Sequence, residues 1–376
     1  MTRPTSIGLR LLASPILWCV FWLAVFDLAS GLGLRVVAAR HPGSGLARYF
    51  DYGRSIEGKL QNLTSLAQGD TRAQILSAGW LDPAQWQRLP AQPLPGTDLL
   101  VAVYGQSFAK NATSAMATLD GRLTLRQIAG PAAPLDHSYA ALCLDQGLRK
   151  ADVVVVGILA SSVTHIGSMS GMDWTFENPA PFTFPHYTVK HGQLTAEAPN
   201  FSTEAAFRTA FAGKTPEWQR FKRQLTQHDP GYDRLVFENT LLDSSNLVKL
   251  MRRGWVAHNA GYDTGVFSES GGFRLDAKPV QTMKAILLEM AKLTRSRNER
   301  LIVLLEHDQG YGDHLYLALK DTLASARIEF ISTHSLFSAS DPHNFVADGH
   351  YTEEANGKLA AALRAMIRRE RPDSTP

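Results

Sequence analysis

"LLVAVYGQSFAKN", residues 99–111, runs from an apolar, strand-forming segment through Tyr104 into Gly105, Gln106 and Ser107. An apolar run without strict alternation suits a strand covered on both faces, as in a parallel sheet. Similar runs recur at 123–128, 152–159 ("DVVVVGIL"), 300–306 and 327–332. Helical patterns lie among them at 135–149, 279–294, 313–326 and 352–370. In the second of these, Met283, Ile286, Leu287 and Met290 share one face. Strands alternating with helices predict an α/β fold, a three-layer α/β/α domain around a mostly parallel sheet. Ligands of such sheets bind beyond the carboxyl ends of the strands, and Ser107 falls on that edge.

A serine hydroxyl is a poor nucleophile until a neighbouring base takes its proton. The chain offers one far downstream, in "FVADGHYTEEANGKLAAAL", residues 345–363. Thr352 is placed to cap the last helix, with Glu353 and Glu354 in its positive first turn. Asp348, Gly349 and His350 are left in the preceding loop, which follows the final strand and projects from the same edge as Ser107. His350 is therefore a candidate base and Asp348 the acid that orients it. The plainer alternative makes Ser107 a helix-capping serine and Asp348 a turn residue.

Over residues 98–370 the pattern resembles the SGNH/GDSL hydrolases. Their G-D-S at the end of the first strand is matched by Gly105-Gln106-Ser107, and their closing Asp and His by Asp348 and His350. Gln106 stands where the family has an aspartate outside the triad, and one residue rather than two separates Asp348 from His350. The resemblance implies a flavodoxin-like sheet, no cofactor and no metal. It assigns Gly130, in "RQIAGPAAP", as an oxyanion donor through its backbone N–H. The family's block-three asparagine is absent from "DVVVVGILASSV"; Ser161 or Ser162 takes its place, with Ser162 the better match in register. The implied chemistry is that of a serine esterase or O-acyltransferase working through an acyl-enzyme. Its expected partner is an acylated carbohydrate, such as a surface or exported polysaccharide, or another ester. Two rivals remain: a catalytically weak relative that binds glycan, suggested by the missing asparagine, and a membrane-tethered lipid esterase.

Net charge is +3 over 376 residues, with Lys and Arg dispersed, which argues against a nucleic-acid partner. The basic run Arg364, Arg368, Arg369 and Arg371 suits the end of a last helix. Two cysteines, Cys19 and Cys143, exclude a disulfide framework. The stretch Leu11–Leu34 is long and apolar enough to cross a bilayer, with Asp27 its one costly residue. An uncleaved signal-anchor is expected, with the main domain outside the cytoplasmic membrane; the alternative is a signal peptide cleaved near Ala38 and Ala39. Residues 1–40 then form a tail and anchor, 41–97 a helical segment ending in the Pro-rich "RLPAQPLPG", and 98–376 the hydrolase-like domain. That domain carries insertions at about 165–235 and 254–276. His307, Asp308, Asp313 and His314 read as a polar loop at the cleft rim. His137 and His165 read as satisfied histidines. Trp174, Phe176, Phe182 and Tyr187 belong to an aromatic insertion expected to pack or to form a lid.

Overall fold

A computed structural model describes residues 15–41, 45–66, 70, 73–131, 133–172, 176–260, 265–268 and 271–369. In chain order the elements used below begin with α1 (Pro15–Arg40), β1 (Leu99–Gly105), α2 (Ser107–Leu119) and β2 (Leu123–Ala129). They continue with α3 (Leu135–Asp145), β3 (Val153–Leu159), β4 (His186–Lys190) and β5 (Gln193–Glu197). The last are α4 (Asn246–Ala260), α5 (Lys278–Ser296), β6 (Arg300–Glu306), α6 (His314–Ser325), β7 (Glu329–Ser332) and α7 (Glu353–Ile367). The chain divides into two compact units. One comprises residues 63–174, 180–232 and 263–376; the other comprises 1–62, 175–179 and 233–262.

The larger unit is the expected three-layer α/β/α domain. Its five strands are all parallel, in the order β2-β1-β3-β6-β7. The chain moves outward from β1 to β2, then returns past β1 to β3. The adjacent β1 and β3 thus mark the point where winding reverses, where open α/β sheets hold their ligands. Each expected strand forms within two residues of its sequence bounds. Alternation sorts the side chains of β1. Val101 and Val103 face Phe108, Ala112 and Met116 of α2 and Leu359 and Leu363 of α7 in one buried cluster. Tyr104 faces the other layer, where α3, α5 and α6 pack together.

That second layer is tied to β1 by buried ions. Tyr104 donates its hydroxyl proton to Asp145 at 2.6 Å, and Arg126 lies on the same carboxylate at 2.5 Å. Arg149 reaches both Tyr104 Oη, at 2.8 Å, and Glu299, at 2.6 Å. The Pro-rich segment before β1 is held as well: Arg126 Nη1 donates to the carbonyls of Leu89 and Pro90 at 2.9 and 3.1 Å.

Within the 165–235 stretch, β4 and β5 form an antiparallel hairpin, followed by helices Glu204–Ala212 and Pro216–His228. The hairpin turns on His191 (φ 51°) and Gly192 (φ 76°), the pair of positive φ values that a tight two-residue turn requires. Phe182 and Tyr187 are buried, with Phe182 packed against His137. Trp174 lies outside the described residues.

In the smaller unit α1 includes a span, Pro15–Val37, long and apolar enough to cross a membrane. Around it the sequence 53–58 is bound to residues 243–252. Asp243 accepts from Ser55 N–H and Oγ–H at 2.9 and 3.0 Å and from Arg252 at 2.6 Å. Arg252 also donates to the Gly53 carbonyl at 2.8 Å. Phe176 belongs to this unit, where Lys59 donates to its carbonyl oxygen and lies over its ring. Burial lowers the Lys59 amine to about 7.

Candidate active site

The site begins with the glycine that ends β1. Gly105 has φ +153°, and a Cβ there would meet the Gly157 backbone at 3.2 Å and Ala109 Cβ at 3.1 Å. Gly157, its neighbour on β3, is tighter: an added Cβ would lie 2.5 Å from Ala109 and 2.8 Å from Glu306 Oε2. Two glycines side by side let the first turn of α2 settle onto the strand ends. Ser107 is the first residue of α2, so its backbone N–H is among those with no intrahelical partner.

The loop before α7 is a small hairpin. Gly349 N–H bonds to Val346 O at 2.9 Å, Val346 N–H bonds to His350 O at 2.8 Å, and Gly349 has φ 88°. This is a turn followed by a positive-φ bulge residue. The bulge folds Asp348 back over the residue two positions on, so the single intervening glycine suffices. Asp348 Oδ1 lies 3.0 Å from His350 Nδ1 and also accepts the His350 backbone N–H at 3.1 Å. Those contacts, the backbone one foremost, hold the Asp348 carboxyl below its usual range. A proton on Nδ1 leaves Nε2 as the acceptor. His350 Nε2 is 2.6 Å from Ser107 Oγ, across 243 residues of sequence. The Phe108 ring stacks on the imidazole at 4.9 Å, and Tyr351 meets Phe108 edge-on at 4.8 Å. Asp348 itself is open to water, its side chain 70% exposed against 32% for His350.

The structure thus brings Ser107, His350 and Asp348 into one hydrogen-bonded line. It treats the other candidates differently. Gly130 N–H already donates to Gly105 O at 3.1 Å, continuing the β1–β2 ladder, so it is not free for an oxyanion. Gly130 is required there by crowding: a Cβ would approach Ala133 and His137 at 2.9 Å. Ser162 is buried and donates its one hydroxyl proton to Leu159 O at 2.7 Å. Ser161 N–H is drawn to Asp308 Oδ1 at 3.2 Å. The donors expected from Gly130 and Ser162 are therefore engaged elsewhere.

The polar loop after β6 splits into separate roles. Asp308 holds Ser161, while His307 is buried with Nδ1 2.7 Å from Thr333 Oγ1. His137 bonds through Nε2 to Gly79 O at 2.7 Å, and burial lowers both it and His165 to about 4. Two buried acids fix the loop leaving β3. Asp136 accepts Gly167 N–H at 3.1 Å, and Asp229 accepts Met169 N–H and Ser168 Oγ–H, each at 2.8 Å. Burial raises both carboxyls, Asp136 to about 8.

Three groups near the site have surroundings that sequence reasoning did not foresee. Phe108 supports the imidazole; its place straight after the serine was the available signal. Gln106 Nε2 is buried and has no hydrogen-bond partner among the described residues. Among the described residues both carboxyl oxygens of Glu306 are likewise without a hydrogen-bond partner, and burial raises that carboxyl well above its ordinary value beneath the Gly157 strand end.

No family model and no curated protein matches the chain. Solved structures with similar folds include a protein described as an acylhydrolase from Bacteroides fragilis and a GDSL-like lipase from Bacteroides thetaiotaomicron. Each has 10% identity and a TM-score of 0.38 over 76% of this chain, covering 92% and 94% of those chains. A mutant acetyl-xylooligosaccharide esterase from Geobacillus gives 10% identity and a TM-score of 0.34, covering 74% of this chain and 99% of its own. Likeness at that distance does not bear on activity. At the switch point of the parallel sheet the chain sets a hydroxyl, an imidazole and a carboxylate in line.

Proposed function

We propose that this chain is a serine esterase or O-acyltransferase that works through an acyl-enzyme. The observation that carries the reading is the 2.6 Å approach of Ser107 Oγ to His350 Nε2. Ser107 Oγ attacks an ester carbonyl as its proton passes to Nε2, and Asp348 offsets the imidazolium charge. His350 then protonates the leaving alkoxide. Water, or the hydroxyl of a second sugar, loses a proton to the same nitrogen as it attacks the acyl-enzyme, and Ser107 is regenerated. Negative charge growing on the carbonyl oxygen faces the Ser107 N–H and the positive end of α2. In this reading the hydrolase domain lies within residues 98–376, apart from 175–179 and 233–262, which fold with the smaller unit, and α1 is its anchor with that domain outside the cytoplasmic membrane. The substrate class is an O-acylated carbohydrate or a comparable small ester.

A specific observation favours a second reading. With Gly130 N–H and the Ser162 hydroxyl engaged, the oxyanion site is short of donors, and losing one donor costs about 10²–10³ in rate. A weak or silent enzyme that binds glycan would look the same. Turnover separates the two. The enzyme reading expects release of acetate from p-nitrophenyl acetate and acetylated oligosaccharides, abolished in Ser107→Ala. Absence of release in the folded wild type, with retained binding of the oligosaccharide, would support the binder. Preference for long-chain acyl lipids would move the assignment to a lipid esterase.

A further inference from the structure

The loop after β6 runs through "EHDQGYGDH", residues 306–314, and the Ser107–His350–Asp348 line uses none of it. Strand order nevertheless sets it close to the nucleophile. β3 lies between β1 and β6, and all three are parallel, so they end at the edge that carries Ser107. At about 4.8 Å between neighbours, the ends of β1 and β6 stand about 10 Å apart. An ester and the sugar ring bearing it bridge such a gap.

Asp308 reaches over the end of β3. Its Oδ1 accepts the backbone N–H of Ser161, in the turn leaving that strand, at 3.2 Å. Burial raises the Asp308 carboxyl, and bonds from the Ser161 side chain and backbone pull it down. The residue is only half-buried, and a carboxylate has room for about four hydrogen bonds. A negative charge two strands from the place where a carbonyl oxygen becomes an anion opposes turnover. Donors brought by the substrate offset that cost. Sugar hydroxyls are such donors, whereas a hydrocarbon acyl chain has none.

The same loop supplies an apolar surface. Tyr311 N–H bonds to Asp308 O at 3.1 Å, a turn that keeps the two residues together. Burial raises the Tyr311 phenol, and the Asp308 charge adds to the rise, so the hydroxyl lies within electrostatic reach of the carboxyl. Gly310 and Gly312 flank Tyr311 with φ +92° and +40°, and a Cβ on either would meet nothing within 4 Å. Crowding does not require them; their left-handed bends hold Tyr311 in the turn. Its ring is braced by Phe267, Phe273 and His314 at 6.1, 6.3 and 5.7 Å, yet the residue stays partly exposed. A braced aromatic ring beside a carboxylate suits a pyranose, which offers C–H groups to the one and hydroxyls to the other.

We infer that Asp308 and Tyr311 determine specificity: Asp308 accepts a free hydroxyl of the sugar that carries the ester, and Tyr311 packs against that sugar's apolar face. Resting on the esterase reading above, this narrows the substrate to esters of polyols that keep a hydroxyl beside the acyl group.

Kinetics of the full chain on two sugar esters test it, with p-nitrophenyl acetate as reference. One is methyl glucopyranoside acetylated at a single hydroxyl; the other lacks the hydroxyls that flank the ester. The wild type should prefer the first by about 10–100-fold in kcat/KM, the range of a hydrogen bond to a charged group. Asp308→Asn, whose amide oxygen can still accept the Ser161 N–H, should lose most of that preference. Tyr311→Ala should raise KM for the first ester more than for p-nitrophenyl acetate, and Tyr311→Phe should restore it. Release from p-nitrophenyl acetate with equal rates on the two sugar esters, or with a preference that Asp308→Asn keeps in full, would overturn the inference and leave the esterase standing. No release from any ester would remove both together.

Discussion

At the scale of single residues, the exposure of Asp348 sets the expected pattern of mutant effects. A buried triad aspartate acts in low dielectric, where its charge counts heavily; Asp348 is largely hydrated, and water screens its field. Asp348→Ala is therefore expected to lower kcat/KM by only about 10–100-fold, well short of the roughly 10⁴ seen when a buried triad acid is neutralised. Ser107→Ala and His350→Ala should each remove nearly all turnover. Initial rates on p-nitrophenyl acetate check the ordering, and a loss in Asp348→Ala as large as in His350→Ala would contradict it. The approach of His350 to Ser107 was legible because Asp348, Gly349 and His350 sit just before a well-signalled helix cap at Thr352. The engagement of Gly130 N–H and the Ser162 hydroxyl was not. Which acceptor a donor meets depends on chain folded around it, and neither residue type nor spacing carries that information.

At the scale of elements, the two strand-end glycines and the buried ion pairs position α2 and α3 against β1. Gly157→Ala would drive a methyl into Ala109 and Glu306, an overpacking expected to cost about 1–3 kcal/mol. It should also shift the first turn of α2, so turnover should fall further than stability accounts for. Chemical denaturation beside kinetics of the folded fraction separates these effects; unchanged kinetics would show that the turn does not depend on the close approach. Asp145→Ala leaves Arg126 and Arg149 buried beside a vacancy, and the loss expected from breaking such a pair is about 3–5 kcal/mol. The sheet strands were readable from their apolar runs, whereas the β4–β5 hairpin escaped. Its strands are short, and aromatic and proline residues upstream blur the alternation. The signal present was His191-Gly192, a pair able to take two positive φ values.

At the scale of the whole molecule, acids whose carboxyls burial raises shape the pH response above neutrality. Burial raises Glu306 and Asp136 in the folded chain, Asp136 to about 8. Above the ordinary carboxyl range the unfolded chain has released these protons while the folded chain still holds them, so stability falls as pH rises. For Asp136 that window runs from about pH 4 to about 8. The buried His137 and His165, lowered to about 4, add stability as pH rises toward about 6.5 and are neutral in both states above it. The fall is therefore read cleanly above neutrality: thermal unfolding of the wild type should give a lower Tm at pH 8 than at pH 7. Glu306→Gln, neutral and of the same shape, should match the wild type near pH 5 and exceed it at pH 8. A variant with an undiminished fall in Tm would show that Glu306 is not held neutral. The topology has the larger consequence, since winding out to β2 and back to β3 is what sets a serine and a histidine 243 residues apart at one sheet edge. The direct test of that claim is intact-mass and peptide analysis after treatment with a fluorophosphonate. A single adduct on Ser107 is predicted, absent in Ser107→Ala and strongly slowed in His350→Ala. An unmodified wild type, or equal labelling of all three, would contradict the account.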